Sequence, residues 1–404
     1  MNLPEPTPAK TWWICFLLFV ATAIVYLDRQ VLALTAPKII ANFHLTNEQF
    51  GHIIGSFRYS YGVVQIFGGF LVDAYGPRIV FPVASGVWSL VGILTGLATT
   101  VGMLTGLRFM LGAGEAFNWP CSLKTTSALL PPKDRPLANG IFNSGAALGA
   151  LIAPIIVTAI TLRWSWRAAF MVTGAVGGLW VFAWLIVTRQ QASSLRGSST
   201  SPRAVAQVVK RLLCMPDFWI LAVSALVING VNYYLADWIP LYLETSRGFS
   251  FSHGNALSIV VYAGSFAGNI VVGLFVRALV AGGCSTNSAK QWALFSACLL
   301  MLLAAPAGFT SHRYAAVLGL SLTGVGVGAF LVIYLTLVQD LEPSHVGVSS
   351  GLLGGISNVA YGFVSPYIGA LADSHHEHVI FILMAFLPWL AFAAIFFGAR
   401  ATRT

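Results

Sequence analysis

The chain has 404 residues, 57% of them hydrophobic and only 9% charged, against roughly a quarter charged in an ordinary soluble domain. So little charge excludes a soluble globular surface, and the formal net charge of +9 does not signal nucleic acid, because the basic residues occupy short loops instead of clustering with aromatics on one face. The cysteines (Cys15, Cys121, Cys214, Cys284, Cys298) fall in apolar runs or loops with neither CxxC nor zinc spacing, so no disulfide framework and no metal site is implied.

A hydrocarbon core of ~30 Å takes about 20 apolar residues to cross, and runs of that length recur along the whole chain. In order they predict twelve spans, at 12–36, 50–73, 79–99, 102–124, 138–161, 168–188, 217–243, 254–278, 291–309, 314–339, 347–372 and 379–399. The Ala21-Thr22-Ala23 triplet imitates a signal-peptide cleavage site, but the apolar run continues to Pro37. It therefore reads as a retained first helix.

The longest connection is polar and Ser-rich, and it divides the chain into bundles at 1–188 and 217–404 joined by a cytoplasmic linker at 189–216. With both termini inside, the cytoplasmic side holds Lys10, Arg78, Lys124, Lys133, Arg135, Arg189, Arg196, Arg203, Lys210, Arg211, Arg277, Lys290, Arg400 and Arg403. The outer loops hold only Lys38, Arg163, Arg167, Arg247 and Arg313. The positive-inside bias sets this orientation in a cell inner membrane.

Charged residues inside the spans carry the functional expectation, because each costs ~2.5–3.5 kcal/mol at mid-helix on insertion scales. Span 1 has Asp28 and Arg29, which diverge by about 100° around the helix, so one can face a solute while the other titrates. Span 2 has Arg58, Tyr61 and Gln65 on one stripe. Arg58 either adds an anion contact or snorkels to the outer interface. On span 4, Arg108 and Glu115 stand two turns apart on one face. Internal pairing that merely locks helices together is the plain alternative for all five charges.

Span 5 (Gly140, Gly145, Gly149, Pro154) and span 11 (Gly351, Gly355, Gly362, Pro366) share a pattern of small residues followed by proline. Small residues permit close helix approach, and a pattern repeated in two six-span halves fits a carrier with a midplane site. In the second half, Asn232, Tyr233, Tyr234, Asp237 and Trp238 enrich span 7, and Asn358 and Tyr361 mark span 11. Amides and hydroxyls suit a polyhydroxylated solute, while Trp238 also fits an interfacial belt. His375, His376, Glu377 and His378 occupy a loop without metal-site spacing, and no Walker loop, nucleophile elbow or HExxH occurs. The expectation is neither an ATP-driven pump nor an enzyme, with no cofactor.

The stretch GGFLVDAYGPR, with Gly69, Asp73, Gly76 and Arg78, resembles the GxxxDRxGR loop signature of the major facilitator superfamily. It departs from that signature at Ala74 and Pro77. The likeness implies a conformational latch at Asp73 and Arg78, the carboxylate facing the positive end of a neighbouring helix. YLDRQVLALTAPKI, SYGVVQIFGGFLVDAYG, RFMLGAGEAFNWP, LPPKDRPLANGIFNSGAALGALIAP and WRAAFMVTG resemble the anion:cation symporter branch, especially bacterial hexuronate and sugar-acid carriers.

That resemblance implies an all-α major facilitator fold of two six-helix bundles, working as a monomer and coupling entry of a carboxylate-bearing solute to protons. It places Arg29 on the solute carboxylate, with Tyr61, Gln65 and Asn358 around the solute, and Tyr233 joins them on the chemistry of its hydroxyl. Asp28, Glu115 and Arg108 are the expected proton-coupling residues. Within transport, the alternative is an exporter or exchanger of the same fold. Outside it, an intramembrane enzyme would need a nucleophile-base pair or facing metal ligands, and a sensor would need a larger soluble domain than the linker offers.

Overall fold

The computed structural model describes residues 8–130, 135–191, 193–196, 202–342 and 346–401. Lys133 and Arg403 lie outside the described residues, as do the side chains of Lys10, Arg135, Arg203 and Arg400.

Within hydrocarbon every backbone N–H and C=O must be satisfied inside its own element, which leaves helices for a chain of this composition. The regular elements among the described residues are all helical: α1 (Pro8–Phe43), α2 (Asn47–Tyr75), α3 (Pro77–Gly96), α4 (Val101–Glu115), α5 (Asn118–Leu129), α6 (Arg135–Arg163), α7 (Trp166–Val187), α8 (Pro202–Cys214), α9 (Pro216–Asp237), α10 (Ile239–Thr245), α11 (Phe251–Ala281), α12 (Thr286–Met301), α13 (Ala304–Phe309), α14 (Arg313–Leu341), α15 (Val346–Asp373) and α16 (Glu377–Ala401). Joining α4 to α5, α9 to α10 and α12 to α13 recovers the twelve predicted spans. Nine stretches among the described residues are long and apolar enough to cross a membrane. The remaining three are α2, which carries Glu48, Arg58 and Asp73, the divided pair α4 and α5, and the Gly- and Ser-rich α15.

The three divided spans share a cause. Pro120, Pro240 and Pro306 each lack the N–H that would reach four residues back, and the helices part near Ala116–Phe117, Trp238 and Leu302–Leu303. The freed Ala236 carbonyl accepts a hydrogen bond from the Tyr262 hydroxyl at 3.4 Å. The stretch predicted as the linker contains α8. Val208 and Leu212 of that helix are buried one turn apart, while Lys210 and Arg211 are exposed.

Two compact units divide the chain: Met1–Thr35 with Ser56–Ala204, and Ala36–Gly55 with Val205–Thr404. In the first unit, α6 lies so close to α1 that a Cβ on Gly145 or Gly149 would collide with the Phe19 or Ala23 carbonyl. This is the small-residue role expected of span 5. The Trp180 indole donates to the Leu17 carbonyl at 2.8 Å.

In the second unit, α11 and α14 interlock through Gly264, Gly268, Gly324 and Gly328, each set against backbone carbonyls of the other helix. The start of α2 packs against α15 in the same unit, Gly51 against Ser365 and Gly369 against Asn47. Three N–H groups of that helix start, which have no intrahelical partner, are all taken up. Thr46 Oγ1 accepts from Gln49 N at 3.1 Å, and the Gln49 side chain returns to Thr46 N at 3.0 Å, a capping box. Asp373 accepts from Asn47 N at 2.9 Å and Glu48 N at 3.0 Å.

Candidate functional site

Three helices of the first unit bring the span charges together. A Cβ on Gly112 of α4 would strike the Phe57 carbonyl and the Ser60 hydroxyl of α2. Glycine lets the two backbones close, and hydroxyls lace them: Ser60 donates to the Phe109 carbonyl at 2.5 Å and Ser56 to the Thr105 carbonyl at 3.1 Å. Gly145 and Gly149 let α6 approach the α1 backbone at Phe19 and Ala23. Glu115, the last residue of α4, sits at the break that Pro120 imposes.

The Nε of Arg29 donates to Oε2 of Glu115 at 2.7 Å. Glu115 is fully buried, and its Oε1 and the Nη2 of Arg29 have no hydrogen-bond partner. The Arg29 guanidinium also lies over aromatic rings, 4.5 Å from Tyr61, 5.1 Å from Tyr26 and 5.6 Å from Phe57. A guanidinium so placed gains cation–π attraction and keeps part of its planar fork for another anion.

Arg58 and Arg108 are 5% and 3% exposed, so both charges stay inside the protein. The Arg58 guanidinium is 5.8 Å from the Phe57 ring and within electrostatic reach of Glu115 and Tyr26. Arg108 is 5.5 Å from the same ring and close to Asp28 and Glu115. Neither oxygen of the buried Asp28 has a donor at full hydrogen-bonding geometry; the Thr173 hydroxyl beside it donates to the Phe170 carbonyl at 3.3 Å. Asp28 and Arg29 thus differ in surroundings, as their angular separation on α1 requires. Tyr61 stacks on Phe57 at 5.7 Å, and Gln65 is half-buried two turns from Arg58.

The residues predicted on spans 7 and 11 lie in the second unit. The rings of Tyr233 and Tyr361 meet edge to face at 5.1 Å. The Asn358 amide donates to the Gly354 carbonyl of its own helix at 2.9 Å, and Asn229 donates to the Ser357 hydroxyl at 3.3 Å. Trp238 is a buried ring, edge-on to Phe50 at 6.0 Å, and not a residue of an exposed belt. Asp237 closes α9 beside Tyr262.

Asp73 Oδ1 pairs with the Lys124 ammonium of α5 at 2.7 Å, so its partner is a lysine where a helix N-terminus was expected. Gly76 takes φ 81°, a conformation that favours glycine, and the Arg78 amide donates to the Leu195 carbonyl at 3.4 Å. A carboxylate on a helix start does occur, but at Asp373. Among the described residues no group of three histidines, cysteines or carboxylates is placed to hold a metal ion. Glu377 instead accepts from the Ser246 hydroxyl at 2.5 Å.

Sequence reasoning missed Tyr26 and Phe57. Both were within reach of it, Tyr26 lying one turn before Arg29 and Phe57 lying next to Arg58. Nothing local marks the hydrogen bond from Asn118 to the Thr22 hydroxyl at 3.3 Å.

Residues 18–363 match the family model of the Major Facilitator Superfamily. A hexuronate transporter of Escherichia coli strain K12 is 26% identical over 402 residues, covering 93% of this chain and 90% of that protein. A probable galactarate/D-glucarate transporter of the same organism, GarP, is 25% identical over 395 residues, covering 90% and 88%. The crystal structure of a bacterial homologue of the human lysosomal transporter Spinster, inward-facing and unoccupied, superposes with a TM-score of 0.73 at 18% identity over 98% of each chain, a likeness of fold alone. The chain is a multi-pass membrane carrier and not an enzyme, and it belongs to the Major Facilitator Superfamily.

Proposed function

We propose that the chain carries an organic anion of the sugar-acid class across the inner membrane in symport with protons, by alternating access of bundles at 1–188 and 217–404. The observation that carries this reading is the Arg29–Glu115 pair, in which one guanidinium nitrogen and one carboxylate oxygen are buried and unspent. The names of the relatives, hexuronate and galactarate/D-glucarate transporters, support an acidic, polyhydroxylated solute.

The coupling follows from the pair. A proton from the outer side neutralises Glu115 and frees Arg29 for the solute carboxylate. On the inner side the solute leaves, Arg29 returns to Glu115, and the proton passes to the cytoplasm. The empty carrier cannot keep Arg29 and a protonated Glu115 apart cheaply, because a buried charge without its partner is costly. Asp28 is the second proton site, and Arg108 stands between the two carboxylates as a counter-charge. Tyr61, Gln65, Tyr233 and Asn358 are the candidate contacts to solute hydroxyls, and Asp73 with Arg78 forms a latch at the cytoplasmic end of α2. The chain works as a monomer with both termini in the cytoplasm.

Thermal-shift screening of the purified chain against hexuronates, aldonates and aldarates, followed by uptake, tests the reading. Stabilisation by one of these acids supports it. A panel in which neutral sugars stabilise the chain as well as the acids do would remove it.

A further inference from the structure

In the symport proposed above, a proton leaves Glu115 for the cytoplasm, and it needs polar groups to follow through a fully buried region. Ala116 and Phe117, between α4 and α5, keep right-handed helical backbone angles. Glu115, Asn118 and Ser122, at i, i+3 and i+7, therefore lie on one stripe across the break. All three are fully buried. Each has one side-chain oxygen without a hydrogen-bond partner: Oε1 of Glu115, Oδ1 of Asn118 and Oγ of Ser122.

Buried hydroxyls on helices ordinarily turn back onto a carbonyl of their own helix, as Thr22 does to Leu18 at 3.0 Å and Thr125 to Cys121 at 2.7 Å. The Ser122 hydroxyl makes no such bond. Asn118 uses only its amide nitrogen, which donates to Thr22 Oγ1 at 3.3 Å, so its oxygen still has to be satisfied. Oxygens of this kind are the usual partners of internal water, which makes about three hydrogen bonds to buried groups that the protein leaves unpaired.

The stripe also has a direction. With both termini in the cytoplasm, α5 runs inward from Glu115, and Ser122 lies roughly 10 Å along the axis from it at ~1.5 Å per residue. Thr126, one turn further, donates to the half-buried Asn139 of α6 at 2.8 Å. Lys124, between them in sequence, pairs with Asp73 at the end of α2, the two side chains being 29% and 36% exposed. The buried stripe ends where solvent-accessible charge begins.

We propose that Asn118 and Ser122 hold a short file of internal water that conducts the Glu115 proton to the cytoplasmic side, with the Ser122 hydroxyl as relay and Asn118 as positioning residue. This rests on the proton-symport reading and deepens it. Protonated Glu115 gives its proton to the water on Asn118 Oδ1, that water passes one of its own to Ser122 Oγ, and Ser122 releases its hydroxyl proton to the next water inward. Water and hydroxyl end with the protons they began with, while Glu115 has lost one and the cytoplasm has gained one. Were the stripe only packing, its loss would slow every transport mode alike.

The test compares two transport modes of the purified full-length chain in vesicles, with labelled D-glucuronate and labelled galactarate. Uptake driven by an inward proton gradient requires Glu115 to lose its proton inside, whereas exchange of internal for external solute does not. Ser122→Ala should slow gradient-driven uptake by about ten-fold, the rate equivalent of one hydrogen bond lost on the route, and leave exchange near the wild-type rate. Ser122→Thr, which keeps a hydroxyl, should restore most of the uptake. Asn118→Leu should show the same split as Ser122→Ala, and it serves if the alanine variant does not fold. Thr22→Val, which removes the partner of Asn118 but neither oxygen of the route, should lower the melting temperature and leave the ratio of uptake to exchange unchanged. A Ser122→Ala carrier with an unchanged ratio, or one slowed equally in both modes, would overturn the proposal while proton symport stands. If wild type accumulated neither acid under the gradient, the symport reading and this inference would both fall.

Discussion

Arg29 and Glu115, 86 residues apart in the chain, meet at 2.7 Å through Nε and Oε2, with the carboxylate fully buried. Removing one member of such a pair strands the other charge, at roughly 3–5 kcal/mol if it stays ionised. Arg29→Ala should abolish sugar-acid binding and lower the melting temperature. Adding Glu115→Gln should recover stability without recovering binding, and Arg29→Lys should restore affinity only in part, because an ammonium lacks the planar fork. Titration at wild-type affinity in Arg29→Ala would take Arg29 out of the site.

Glu115→Gln keeps the size and hydrogen bonding of a protonated carboxyl but has no proton to release. In reconstituted vesicles, exchange of solute should persist while uphill uptake fails. Accumulation at the wild-type proton ratio would move the coupling site elsewhere, with Asp28 the next residue to test.

Asp373 holds the first two amides of α2. Asp373→Ala should lower stability by about 0.5–2 kcal/mol, the range for a lost N-cap, and Asp373→Asn should retain most of it, since the amide oxygen still accepts. Thermal melting in detergent reads both. Equal melting temperatures for wild type and the alanine variant would show that Thr46 alone suffices as the cap.

Two glycines of α4 should respond in opposite ways. A side chain at Gly112 meets the Phe57 backbone carbonyl, which cannot move aside without displacing α2. Gly112→Val should therefore cost roughly 1–3 kcal/mol of packing strain and weaken solute binding by separating the α4 charges from Phe57. Gly106 has nothing within 4 Å of a built Cβ, and Gly106→Ala should be neutral or stabilising by about 0.5–1 kcal/mol. Melting temperatures that fall equally for both would contradict the close approach of α2 and α4.

The helices were legible in the sequence because the bilayer imposes a length and a composition that no other environment does. Pro120, Pro240 and Pro306 stood in plain view, but a proline in a span can kink a helix or end it, and neighbours such as Tyr262 decide which. The helix α8, Pro202–Cys214, escaped because it is too short to register as a span and carries Arg203, Gln207, Lys210 and Arg211 among its apolar residues. Local pattern pointed to Asp28, Arg29, Arg58, Arg108 and Glu115 as a group, since charge in an apolar span needs a reason. It could not say that Arg29 bonds Glu115 or that Asp373 caps a helix 326 residues away, because such pairings depend on glycine-mediated approaches between helices distant in sequence.

If solute and proton move together through the Arg29–Glu115 pair, an inward proton gradient must drive solute uphill. Purified protein in vesicles loaded at alkaline pH and placed in acidic buffer should accumulate labelled galactarate above its external concentration. Collapse of the pH gradient by a protonophore should remove that accumulation, and Glu115→Gln vesicles should show none at either stage. Uptake that proceeds to the same level with and without the gradient in wild type would contradict the account.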